Sequence, residues 1–178
     1  MLDWVWLIPF LPGASALICA IWGKRLKTAT GWISIASMLA TIVLAVGASL
    51  PFIAEPGREA WRISLFPWIH AGGLQIDFAF LVDPLTCVML GVVSVVGSLV
   101  FIYSTGYMHG DPGYHRFFSF LSLFAAMMYV LVLADNFVVL FIGWEGVGLC
   151  SYLLIGYYMN ETWCADAGKK AFVVNRIG

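Results

Sequence analysis

The sequence is short of charge: nine basic and ten acidic residues make up 11% of 178. Soluble domains carry roughly 25% charged residues, so an ordinary water-facing surface is excluded. A net charge of −1 provides no basic surface, which sets nucleic acid aside as a partner. Cysteine is sparse as well. Cys19, Cys87, Cys150 and Cys164 show no CxxC spacing and no accompanying histidine pattern, so neither a metal site nor a disulfide framework is indicated. No cysteine cluster is present that would ligate an iron–sulfur centre. A GxGxxG fingerprint is missing too, and the glycines of GWEGVG sit inside an apolar run rather than behind a soluble strand, which argues against a dinucleotide site. Nor is there a basic N-terminal region. The only early charge is Asp3, whereas cleavable signal peptides open with positive residues.

What is present is apolar: 62% hydrophobic residues and a mean hydropathy of +0.93. Uncharged runs cover 4–23, 28–54, 84–110 and 117–134, each close to the roughly 18–25 residues that cross a bilayer as a helix. A fifth run, 136–160, is broken only by Glu145. The expected fold is therefore an all-α transmembrane helix bundle with spans at about 4–23, 29–53, 84–107, 117–134 and 136–158. A sixth helix begins at about 167 and is still in mid-pattern at Gly178, as expected of the N-terminal fragment of a longer protein. Three of the cysteines fall in these spans, where a free thiol packs as a small apolar group.

Loop charges set the orientation. Lys24, Arg25 and Lys27 follow the first span, Arg116 lies by the loop after the third, and Lys169 and Lys170 follow the fifth. The positive-inside rule places these three loops in the cytoplasm and the N-terminus outside. Segment 55–83 then lies outside, where Arg58 and Arg62 are offset by Glu55, Glu59, Asp77 and Asp83. It contains WRISLFPWI at 61–69 and LQIDFAFLV at 74–82, joined around Ala71-Gly72-Gly73. In the second run Ile76, Phe78, Phe80 and Val82 alternate with Gln75, Asp77, Ala79 and Leu81, the period of a half-buried strand. A small extracytoplasmic β-hairpin is predicted, with Pro67 at an edge or bulge. Asp83-Pro84 is a good helix start, with Asp as cap and Pro first in the helix. His109 and His115 bracket Gly110, Asp111, Pro112 and Gly113, which are turn formers, so a solvated loop is preferred to a metal site or proton relay. His70 carries less information still.

Glu145 is the residue that demands a reason. Its place in the fifth span puts it near mid-membrane, where a charge costs at least about 2.5–3.5 kcal/mol on insertion scales. Such a carboxylate needs a partner, water or a proton. Gly143, Gly146 and Gly148 surround it with little volume, so that a facing helix or a file of water can come close. Each weakens the helix by roughly 0.5–1 kcal/mol relative to alanine. Tyr152 lies on the same face two turns inward and offers a hydroxyl. Burial raises a carboxylate's pKa and a nearby cation lowers it, which makes Glu145 a candidate proton-handling group; an interhelical hydrogen bond or fixed ion pair that locks the bundle is the alternative. Lys169, Phe172 and Arg176 share one face of the sixth helix. Lys169 is read as a polar-path residue or, snorkelling near the interface, as a topology anchor. Arg176, deeper and beside Asn175, is a candidate for a buried polar path. The tryptophans and Tyr103, Tyr107 and Trp144 are read as interface anchors or packing.

The stretch GWEGVGLCSYLLIG at 143–156, with AGKKAFVVNRIG at 167–178, LVDPLT at 81–86 and FFSFLSLFAAMM at 117–128, resembles the antiporter-like, proton-translocating membrane family of respiratory complex I. Within it the resemblance is to chain L, called subunit 5 in mitochondria, and it covers essentially the whole chain. It implies a proton-translocating membrane subunit of NADH:quinone oxidoreductase in a bacterial inner or mitochondrial inner membrane, beside antiporter-like neighbours. The family's proton-handling glutamate corresponds to Glu145. Its usual partner is a lysine on a later broken helix, which, like the aspartate that usually follows the NRIG stretch, lies outside these residues. A complete member has two inverted five-helix repeats and a lateral C-terminal helix, so these 178 residues are not expected to pump alone. The resemblance also implies that NADH, FMN, iron–sulfur clusters and quinone are handled by partner subunits, with no cofactor bound by this chain. Alternatives are a subunit of a multisubunit sodium/proton antiporter, of a membrane-bound hydrogenase, or a structural membrane subunit in which Glu145 only holds helices together.

Overall fold

The structure, a computed structural model, describes residues 4–55, 57–158 and 161–178; Asp3, the early charge weighed above, lies outside them. Six helices and one hairpin follow in the order α1 (Leu7–Leu26), α2 (Ala29–Ala54), β1 (Trp61–Ala71), β2 (Leu74–Val82), α3 (Pro84–Tyr107), α4 (Tyr114–Leu133), α5 (Phe137–Ile155) and α6 (Thr162–Ile177). The first five helices are long and apolar enough to cross a membrane, and the chain is an integral membrane protein.

Several helices run past the uncharged stretches that announce them. α1 includes Lys24 and Arg25 in its last turn, where cations suit the negative end of the helix dipole. α4 begins at Tyr114 rather than 117, taking in His115 and Arg116, and α6 begins at Thr162 rather than 167. A lack of charge marks the part of a helix that lies in lipid, whereas the backbone hydrogen bonds continue into the polar region beyond it.

α4 is the hub. It packs most extensively on α1 and α5, touches α2 and α3, and leaves α6 to pack on α5. Lipid provides no hydrophobic drive for helices to meet, so small and polar residues make the contacts. Ser122 donates to Ser34 Oγ at 3.0 Å, the Cys19 thiol lies 3.6 Å from that same oxygen, and Ser119 donates to the Ala16 carbonyl at 2.9 Å. These contacts join α1, α2 and α4 through an interior of hydroxyls. On the other side of α4, the buried Tyr129 hydroxyl meets Ser94 Oγ of α3 at 2.9 Å; Phe101, Phe118 and Met38 belong to the same buried core.

The hairpin is antiparallel, pairing Trp61 with Val82 and His70 with Gln75. Its register slips on both sides of Pro67, as a residue without an N–H requires. Phe80 and Val82 are buried and Gln75 is exposed, but Ala79 is buried as well. Alternation fails there because the α4–α5 connection crosses the strand: Asp135 N–H donates to the Ala79 carbonyl at 3.2 Å, and Ala134 bridges to Phe80. Asp83 caps α3, its Oδ1 accepting from Thr86 N–H at 2.7 Å, with Pro84 first in the helix.

Candidate proton-handling site

α5 is positioned from its first residue. Asn136 Oδ1 accepts from the N–H groups of Val138 and Val139, both at 3.1 Å, and its amide donates to the Asp77 carbonyl of β2 at 3.0 Å. One side chain thus caps the helix and fastens it to the hairpin. Arg62 of β1 adds an ion pair with Asp135 at 2.8 Å and a longer one with Asp77 at 3.5 Å. Glu145 lies nine residues beyond this cap, on the order of 13 Å along the axis at 1.5 Å per residue.

The three glycines are accounted for by helices on two sides. A Cβ on Gly143 would come within 2.6 Å of the Leu131 backbone, and one on Gly146 within 2.6 Å of the Met127 side chain, both on α4. Gly148 faces α6, where a Cβ would run into the Asn175 amide. Further along, Gly168 of α6 stacks over Gly156 and the Tyr152 carbonyl, with a Cβ there meeting the carbonyl oxygen at 3.3 Å. These contacts set an antiparallel register of α5 against α6.

That register brings Arg176 to Glu145. Arg176 Nη1 is the ion-pair partner of Glu145 Oε2, and its guanidinium also lies over the Phe172 ring, 4.5 Å from the centroid. The Glu145 side chain is 20% exposed and that of Arg176 41%, so the carboxylate is the more deeply enclosed member. Oε2 itself is buried and receives no hydrogen bond of regular geometry, and the Asn175 amide nitrogen is likewise buried without an acceptor. Two polar side chains of adjacent α6 residues thus reach toward α5, one to the carboxylate and one into the space left by Gly148.

Tyr152 and Lys169 are not part of this pair. With Leu149, Phe172 and Val173 they line a separate groove of about 340 Å³, in which the Tyr152 ring meets Phe172 edge-on at 5.6 Å. The Lys169 ammonium pairs with Asp166 at 3.6 Å, both side chains well exposed. Phe172 therefore separates an upper polar position, Glu145 with Arg176, from a lower one, Tyr152 with Lys169. Asn175 stands out in the sequence only as the neighbour of Arg176; its place against Gly148 is not read there, although a glycine in lipid marks where another helix inserts a side chain. Among the described residues no group of three or more His, Cys, Asp or Glu side chains is placed to hold a metal ion.

Known membrane proteins resemble this chain along its length. The family described as "NADH-Ubiquinone oxidoreductase (complex I), chain 5 N-terminus" matches residues 68–118, and "NADH:quinone oxidoreductase/Mrp antiporter, TM" matches 134–178. NADH-quinone oxidoreductase subunit L of Mycobacterium tuberculosis is 46% identical over 178 residues, covering 98% of this chain and 28% of that protein. Subunit L of Escherichia coli is 43% identical over 157 residues, 88% of this chain and 25% of the relative. The chloroplast NAD(P)H-quinone oxidoreductase subunit 5 of Ipomoea purpurea is 41% identical over 183 residues, 99% of this chain and 25% of that one. Among solved structures, a chain of the Mrp complex from a Dietzia species aligns with a TM-score of 0.65 at 30% identity, over 85% of this chain and 16% of that one. The chain thus spans little more than a quarter of the length of the curated relatives it matches. It belongs, along the whole of its described length, to the antiporter-like membrane family that contains the L and 5 subunits of NADH-quinone oxidoreductase.

Proposed function

We propose that this chain is part of a proton-translocating subunit of NADH:quinone oxidoreductase, and that Glu145 is the group in it that takes up and releases the proton. The observation that carries this reading is the enclosed carboxylate near mid-span whose charge partner, Arg176, comes from a different helix. A cation beside a buried carboxylate favours its ionised form, while loss of that cation leaves desolvation to favour the proton. Any movement of α6 relative to α5 therefore changes the proton affinity of Glu145. In this reading Arg176 is the charge partner of Glu145, Asn175 supplies an amide for a water or a second acceptor beside it, and Tyr152 with Lys169 continues the polar path toward the side bearing the basic loops.

Electron transfer from NADH through FMN and iron–sulfur clusters to quinone belongs, in this reading, to partner subunits. The partners of this chain are other antiporter-like membrane subunits and the lipid itself. The location is a bacterial or mitochondrial inner membrane, with the basic loops on the inner side and the N-terminus outside. A second reading, a subunit of a multisubunit cation/proton antiporter, draws on the similarity to the Mrp chain.

The test is proton pumping by the full-length complex in sealed inside-out vesicles, parent against Glu145→Gln, at matched assembly and matched NADH oxidation. A fall in protons moved per NADH supports the reading. An unchanged yield makes Glu145 a structural polar contact and overturns it. Sodium dependence of the proton flux, without dependence on NADH, selects the antiporter reading instead.

A further inference from the structure

We propose that the pocket between the α1–α2 turn and the α3–α4 loop binds the phosphate of an anionic phospholipid. The pocket has a volume of about 470 Å³, and Lys24, Lys27, Thr28, Asp111, Tyr114 and His115 are among the residues that line it. The lining holds two lysines and one aspartate, leaving the pocket positive before His115 is considered. Asp111 is moreover engaged elsewhere, its Oδ1 accepting from Gly113 N–H at 2.7 Å and from the Tyr157 hydroxyl at 3.1 Å.

The walls are held by close packing. The His115 ring sits against Gly23, where a Cβ would be 2.6 Å from the His115 Cβ, and the Tyr114 hydroxyl rests on Gly31. These two contacts fix the start of α4 against the end of α1 and the start of α2. Both α2 and α4 begin at this pocket with neither an acidic residue in the first turn nor a side-chain cap, so their positive ends reinforce the lysines.

Position decides in favour of a lipid over a free anion. Trp22 in the last turns of α1, Trp32 in the first turn of α2 and Tyr107 at the end of α3 are 50%, 70% and 65% exposed. Aromatic side chains of this kind mark the headgroup level of a bilayer, and the pocket lies among the same helix ends. Exposed apolar side chains of α1, Leu17 and Ile21 among them, extend from that level along the span and provide a surface for acyl chains. Basic pockets between transmembrane helices are suited to anionic headgroups.

The experiment uses the full-length protein in its membrane complex, purified in detergent and exposed to dioleoyl phosphatidylglycerol, with bound lipid counted by native mass spectrometry. Each lysine near an anionic headgroup is worth about fivefold in affinity, so Lys24→Gln with Lys27→Gln should weaken one site about thirtyfold, whereas Lys24→Arg with Lys27→Arg keeps it. Dioleoyl phosphatidylcholine should not occupy the site, and millimolar inorganic phosphate should not displace the lipid. Equal retention by the parent and the double Gln variant overturns the proposal, and displacement by inorganic phosphate overturns the lipid as its source. Amine labelling of the parent keeps the idea testable should the double variant fail to assemble. Phosphatidylglycerol vesicles should protect Lys24 and Lys27 severalfold relative to phosphatidylcholine vesicles, and equal labelling overturns the proposal.

Discussion

Glu145 and Arg176 differ in what each loses when the other is removed. Arg176→Gln leaves an enclosed carboxylate without its cation, whereas changing Glu145 as well removes the charge that needed one. Breaking such a pair from one side costs more than deleting both members. Arg176→Gln should therefore lower the thermal midpoint of the full-length protein in detergent more than the combined Glu145→Gln and Arg176→Gln change does. A double change at least as harmful as the single one would show that the two side chains are not coupled. Glycines can be ranked in the same way. Gly143→Ala forces α5 away from the Leu131 backbone, and overpacking of this kind costs about 1–3 kcal/mol. At Gly91 of α3 a Cβ meets nothing within 4 Å, so Gly91→Ala should leave stability unchanged or raise it. Comparison of the two thermal midpoints checks both expectations. Glu145 was legible in the sequence because charge is rare there. The partner was not, since Arg176 and Lys169 lie on one face and only the stacking of Gly148 on Asn175 and of Gly168 on Gly156 sets which of them comes level with the carboxylate.

Among the elements, the hairpin and the start of α5 form one mechanical unit. Asn136→Ala removes both a helix cap and the bond to the Asp77 carbonyl, a loss of about 1–2 kcal/mol. Arg62→Ala removes the ion pairs to Asp135 and Asp77 at a half-exposed site, where such contacts are worth at most about 1 kcal/mol. Denaturation of the two variants side by side should rank Asn136→Ala as the more harmful. At the opposite end of α5, burial and then the neighbouring Asp111 push the pKa of the Tyr157 hydroxyl well up. A raised pKa means that the folded protein holds this proton longer than the unfolded chain does, so the contribution is complete below the ordinary tyrosine value of about 10 and is lost as pH rises beyond it. Tyr157→Phe should flatten the fall in thermal midpoint above pH 10, and an equally steep fall would remove Tyr157 from the account. The starts of α4 and α6 were hidden because Arg116 and Asp166 lie on turns that are helical but outside lipid. Asp83-Pro84 and the bulge at Pro67 were readable because their backbone chemistry is local.

At the scale of the molecule, polarity marks no outward face on helices that sit in lipid, and the packing order is accordingly absent from the sequence pattern. Nothing in the run of apolar residues says that α1 packs most extensively on α4 rather than on α2 or α3. The arrangement follows instead from Ser119, Ser122, Ser34 and Cys19, four small polar residues that are individually unremarkable. Because α4 joins α1, α2, α3 and α5, the order of synthesis acquires a meaning. At about 5–20 residues per second, roughly 4 to 18 s separate the end of α1 at Leu26 from the start of α4 at Tyr114. During that interval Ser34 Oγ lacks the Ser122 donor and the Ala16 carbonyl lacks the Ser119 hydroxyl, and an insertion factor or water must attend them. Cys19, fully buried in the finished bundle, reports the event: chains arrested before Tyr114 should label severalfold faster with a membrane-permeant maleimide than chains that include α4. The bundle is thus left open until its fourth helix arrives, and the timing of that arrival governs how long the nascent protein is vulnerable to degradation.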